Sequence, residues 1–110
     1  MIEPGYRLFY RIVKTNPPTL SDFESAAIKG RPLPSDPGDA RLWDGLSVYS
    51  TPAQARRQRR RSPVLGAFIA TVRVPLDESV RVERTRGDGH HTLWGDAELL
   101  LSMVTAIGPV

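Results

Sequence analysis

Alternation of apolar and polar positions is the first signal in this chain. Residues 6–14, YRLFYRIVK, are rich in aromatic and β-branched types and predict a strand. Leu8, Tyr10 and Ile12 would share one face, and Arg7, Phe9, Arg11 and Val13 the other. Asn16-Pro17-Pro18 ends that strand. In the following TLSDFESAAIKG, Ser21 and Glu24 have capping-box spacing, so a short helix is expected, with Phe23, Ala26 and Ala27 inside it and Gly30 at its end. RPLPSDPGDAR, residues 31–41, holds three prolines and a glycine and is expected to be an irregular loop of lid-like length.

A second strand is expected in LSVYS, with Leu46, Val48 and Ser50 on one face and Ser47 and Tyr49 on the other. Thr51 suits an N-cap and Pro52 the first helical position, so a helix should run to Arg60 or Arg61, ahead of Ser62-Pro63. Its buried stripe would be thin, made of Pro52, Ala55 and the stem of Arg59. FIATVRV (68–74) and VRVERT (80–85) are further strands joined by a turn at 75–79, and GDG (87–89) is a tight turn. HHTLWG suggests a short strand, Asp96 caps a brief AELLL helix, and MVTAI closes the chain as a buried strand. The expected architecture is α+β: one domain over 1–110, with a mostly antiparallel sheet of five or six short strands and two or three short helices.

Composition narrows the chemistry. With 110 residues, 40% of them hydrophobic, the chain supports one core. Cysteine is absent, which excludes disulfides, thiolate metal sites and a thiol nucleophile. The opening MIEPGYRLFY is not built like a secretory signal, and no apolar run reaches membrane-spanning length. A cytoplasmic protein without a membrane partner is expected. Net charge is +3, less than Arg56, Arg57, Arg59, Arg60 and Arg61 carry between them, so the basic character is one local patch.

Four features carry candidate chemistry. The strand-to-helix junction Ser50-Thr51-Pro52 directs free N–H groups and a positive dipole end at whatever lies above the strand, a setting that suits phosphate; an ordinary self-capped helix is the plainer reading. The arginines fall on two ridges, Arg56, Arg60 and Arg59 on one and Arg57 and Arg61 on the next. They would meet nucleic acid or an acidic protein partner, or simply form a solvated face with stems over apolar surface. His90 and His91 are adjacent in a strand and point to opposite faces, so they do not chelate one metal, and no metal is expected. One of them could act as an acid–base group or donate to a ligand, with Trp94 as core or stacking wall. Glu83, inside a strand between Arg81 and Arg84, is either a cross-strand ion-pair partner or a carboxylate that polarises a ribose hydroxyl.

Taken in order, YRIV near the start and WDGLSVYSTPAQA in mid-chain resemble the skeleton of the ADP-ribosyltransferase superfamily, nearest to the small RES-type bacterial toxins that degrade NAD. The resemblance implies that Arg11 holds a phosphate or the nicotinamide ribose. It likewise implies that Tyr49 lines the nicotinamide pocket, that Ser50 or Thr51 sits beside the ribose, and that Glu83 orients its 2′-hydroxyl. The chain departs from that pattern in lacking a GRWN-like run and in having Gln and Arg where a helix glutamate is expected. On this basis NAD is the expected substrate and Arg11, Ser50 and Glu83 the catalytic set, with Tyr49, Thr51, His90, His91 and Trp94 around the ligand. The alternative is a non-catalytic module, such as a toxin–antitoxin accessory protein, whose helix 52–61 meets a polyanion or an acidic partner.

Overall fold

The computed structural model describes residues 5–77, 79–85, 87 and 89–110. Residues 1–4 of the opening segment, Glu78 in the expected 75–79 turn and Asp88 in the GDG turn lie outside the described residues. Among the described residues, six strands form one antiparallel sheet: β1 (Tyr6–Val13), β2 (Leu46–Tyr49), β3 (Phe68–Pro75), β4 (Arg81–Arg84), β5 (His90–Trp94) and β6 (Val104–Pro109), in the order β4-β5-β2-β1-β3-β6. The α-helices among the described residues are α1 (Pro37–Leu42), α2 (Pro52–Arg61) and α3 (Ala97–Ser102). This is the α+β architecture that the alternation predicts.

Each face of the sheet follows from the period of two. Phe9 and Val13 of β1, Val48 of β2, Val72 and Val74 of β3 and Leu93 of β5 build the main core, all but closed to solvent. Phe23, Ala97 and Leu100, from the segment after β1 and from α3, cover this side. On the opposite face α2 packs through Ala55 against Ile12 and Ile69, with Tyr10 and Tyr49 beside them. A small residue at the contact lets the helix backbone lie close to the strands. Gly66, at φ 153°, brings the chain back against β1: a Cβ there would stand 2.2 Å from the Val13 carbonyl oxygen.

Three expectations are corrected. The closing strand, expected to be buried, is the sheet-edge strand β6, whose residues are all partly or fully exposed. The helix expected after Ser21 is a single 3₁₀ turn, Leu20–Phe23, because Glu24 is already extended (φ −85°, ψ 132°); further turns occupy 26–30 and end at Gly30, φ 76°. Its capping box uses Thr19 and Asp22 in place of Ser21 and Glu24. The Asp22 carboxylate accepts from the Thr19 and Lys14 backbone N–H groups, each at 2.9 Å, and so ties the turn to the end of β1. The loop expected over 31–41 contains α1. Asp36 caps it by accepting from Gly38 and Asp39 N–H, and Pro37 occupies the first position, where its fixed φ suits a helix start.

Among the described residues, no helix is long and apolar enough to cross a membrane.

Candidate functional site

β1 and β2 pair through Tyr10 and Tyr49. Continued regularly, that register would set Ile12 opposite Ser47. The Ser47 carbonyl is instead taken by the Arg11 side chain, whose Nη1 donates to it at 2.7 Å while Nε donates to the Asp22 carbonyl, also at 2.7 Å. Arg11 thus bridges β1 to both β2 and the 3₁₀ turn at the place where ladder pairing stops. Burial pushes its guanidinium down to about 10, against the opposing pull of Asp22 and Tyr49, so it stays charged at neutral pH.

A cleft of about 950 Å³ opens here. Its floor includes Arg11, Ile12, Ser47, Tyr49 and His90; one wall is the α2 row Gln54, Arg57, Gln58 and Arg61, and the other runs from Lys29 and Arg31 to Trp43. Among its described lining residues are six Lys or Arg side chains (Arg11, Lys14, Lys29, Arg31, Arg57, Arg61) and three carboxylates (Asp22, Glu24, Asp39). The excess is cationic, and the aromatic rings of Trp43, Tyr49 and His90 share the same space.

Three residues of the expected nucleotide site therefore meet, Arg11, Tyr49 and His90, together with Arg57 and Arg61 of the arginine cluster. His90 lies edge-on to Tyr49, ring centroids 5.4 Å apart, and its Nδ1 is 2.9 Å from Thr85 Oγ1. The other residues expected around a nucleotide, Ser50, Thr51, Glu83, His91 and Trp94, do not line the cleft. The Thr51 Oγ1 accepts from Gln54 N–H at 3.2 Å, which is ordinary self-capping of α2. Ser50 sits one residue before the helix and donates its hydroxyl to Gln54 Oε1 at 2.7 Å. His91 points to the opposite face, as the alternation requires, and packs on Phe9 with ring centroids 5.1 Å apart. Its Nδ1–H donates to the Gly89 carbonyl at 2.9 Å, leaving Nε2 to accept from Arg7 at 3.4 Å.

Glu83 is paired, with Arg81 at 2.8 Å and with Arg41 of α1. These hydrogen bonds, first Arg81 and then Arg41, hold its carboxyl below the ordinary glutamate value. Arg41, 42 residues away in sequence, is a partner that strand pairing alone does not reveal. By register Glu83 stands opposite Thr92, and Thr92 opposite Ser47, so it shares the sheet face of the cleft floor, two strands or roughly 10 Å beyond Ser47. Trp94 is held by Asp44, its Nε1–H donating at 3.0 Å, and its ring lies under Arg81 and Arg41.

The arginine cluster is divided. Arg57 and Arg61 line the cleft, whereas Arg56 lines a separate smaller groove with Tyr10, Thr71 and β6. Arg59 donates to the Gly66 carbonyl at 3.2 Å and Arg60 is exposed. Helical spacing separates the Arg57–Arg61 ridge from the other, but it does not reveal Trp43, Arg31, Lys14 or Lys29 as lining residues. A readable signal existed for the α2 wall: Gln54, Arg57, Gln58 and Arg61 recur at helical spacing as one polar stripe. Nothing comparable marks Trp43, whose place depends on α1.

Among the described residues, no group of three or more histidine or acidic side chains converges as a metal site. Comparisons with protein-family models, with curated proteins and with solved structures find no match.

Proposed function

We propose that the cleft binds a phosphate-bearing nucleotide, with NAD as the first ligand to test. The observation that carries this reading is convergence: Arg11, Tyr49 and His90, from three different strands, and Arg57 and Arg61 of α2 line one cleft, and among its described lining residues cations outnumber acids two to one. A cleft of about 950 Å³ is at the upper end of the usual range for small-molecule sites, about 300–1,000 Å³, and has room for a dinucleotide. Guanidinium groups pair bidentately with phosphate oxygens, and aromatic rings accept a base or nicotinamide against their faces.

Cleavage of the nicotinamide–ribose bond would need a carboxylate near the developing oxocarbenium. Glu83 is the candidate: it is ionised, it shares the sheet face of the cleft floor, and release from Arg41 would free one of its oxygens. The division of the arginines supports the cleft over a continuous polyanion patch, because Arg59 is engaged within the fold and Arg56 belongs to another groove.

Calorimetric titration with NAD, combined with chromatographic assay of free nicotinamide, tests both parts. The expected result is saturable binding together with nicotinamide release that E83Q abolishes. Binding without release at high enzyme concentration, alone and with candidate acceptors, removes the catalytic role of Glu83. No heat at millimolar NAD or ADP removes the nucleotide site.

A further inference from the structure

We propose that the cleft reads its ligand in two parts, Trp43 carrying the nucleobase and the Arg57–Arg61 pair carrying a diphosphate. This rests on the cleft being a nucleotide site and names the ligand class more narrowly: a nucleoside diphosphate, free or as half of a dinucleotide.

Trp43 is held by three hydrogen bonds. Its backbone N–H donates to the Ala40 carbonyl at 3.3 Å, its own carbonyl accepts from Ala27 N–H at 3.1 Å, and its indole Nε1–H donates to the Arg31 carbonyl at 3.0 Å. The last of these matters most. An indole has one donor and no acceptor. With that donor engaged, the ring has only its π surface to offer the cleft it lines, which suits stacking on a base. The other tryptophan lacks this position. Trp94 lies outside the cleft with Arg81 4.8 Å from its ring centroid.

Arg57 and Arg61 stand four residues apart, a rise of about 6 Å along the helix axis, so adjoining phosphates can be held by the two forks together. The helix that carries them is anchored at both ends, by the Thr51 cap and the Arg59–Gly66 bond, and along its middle by fully buried Ala55. Trp43 and the arginine pair come from different elements on different walls. A ligand that satisfies both must have a planar group at one end and adjoining negative charges at the other.

The test uses the W94F protein, in which Trp43 is the sole tryptophan, titrated separately with adenosine, ADP, NAD and inorganic pyrophosphate by fluorescence and calorimetry. ADP and NAD are expected to change Trp43 emission saturably, adenosine to do so with lower affinity, and pyrophosphate to bind without changing it. The R57Q/R61Q double variant should raise the Kd for ADP at least tenfold while leaving that for adenosine within twofold. ADP or NAD heat with unchanged Trp43 emission, or an ADP affinity insensitive to R57Q/R61Q, overturns the two-part assignment and leaves the nucleotide site standing. No heat with any of the nucleotides overturns both.

Discussion

Replacing Arg11 by methionine removes the bridge where β1 and β2 stop pairing, while keeping much of the side-chain volume. Two charge-assisted bonds of 2.7 Å are lost, to the Asp22 and Ser47 carbonyls. The two sites do not cost the same. Ser47 is exposed, so water replaces the guanidinium at its carbonyl. Asp22 is buried, 9% exposed, and its carbonyl is left without that donor. Hydrogen bonds that involve a charged group contribute about 1.5–3 kcal/mol, and an orphaned buried acceptor costs about 1–3 kcal/mol, so a net loss of roughly 2–3 kcal/mol is expected. For a chain of this size about 4 °C of Tm accompanies each kcal/mol, which gives a drop of roughly 8–12 °C. Thermal and urea unfolding followed by circular dichroism measure it, with R11K as the companion. Lysine keeps the charge but has no fork to span both carbonyls, so it should fall between wild type and R11M. An R11M protein within about 0.5 kcal/mol of wild type would refute the bridging role.

Other outcomes follow from the same contacts. F9A empties a site at 0% exposure in the main core and should cost about 3–5 kcal/mol, more than R11M, by the same unfolding assays. G66A drives a Cβ into the Val13 carbonyl at positive φ and should lower the urea midpoint strongly, whereas G108A, whose Cβ meets nothing within 4 Å, should change it little. Glu83 is held below its ordinary value of 4.5 by Arg81 and Arg41, so its stabilising contribution is present above about that pH and is lost as pH falls through the lowered value; the Tm of E83Q should therefore decline less than that of wild type on acidification from pH 7 to 3.

Much of the fold is legible in local pattern. The period of two in YRLFYRIVK places Phe9 and Val13 in the core and Ile12 under α2, and the same rule sends His90 and His91 to opposite faces. Thr51-Pro52 marks the start of α2 because capping chemistry is local. The local rule fails where two caps compete: Thr19 and Ser21 both precede an acidic residue by three positions, and the carboxylate that also reaches Lys14 N–H prevails. Asp36-Pro37 was a readable helix start hidden among prolines that suggested a loop.

The site is less legible because its connections are long-range. Arg11 reaches Ser47 across 36 positions and Arg41 reaches Glu83 across 42, with no periodicity between them. The two tryptophans have similar local settings, each just before an Asp or Gly, yet Trp43 lines the cleft and Trp94 does not. Their indole N–H groups go to different acceptors, the Arg31 carbonyl and the Asp44 carboxylate, and these partners are fixed only by the packed chain.

On the proposed reading, a nucleotide sits in the hollow beside the end of the β1–β2 pairing. A ¹H–¹⁵N NMR titration of the intact chain with NAD locates it residue by residue. Saturable shifts concentrated at Arg11, Tyr49, Gln54, Arg57, Arg61 and His90 are the expected result. Unchanged spectra at millimolar NAD, or shifts gathered instead around Arg56 and β6, would contradict it.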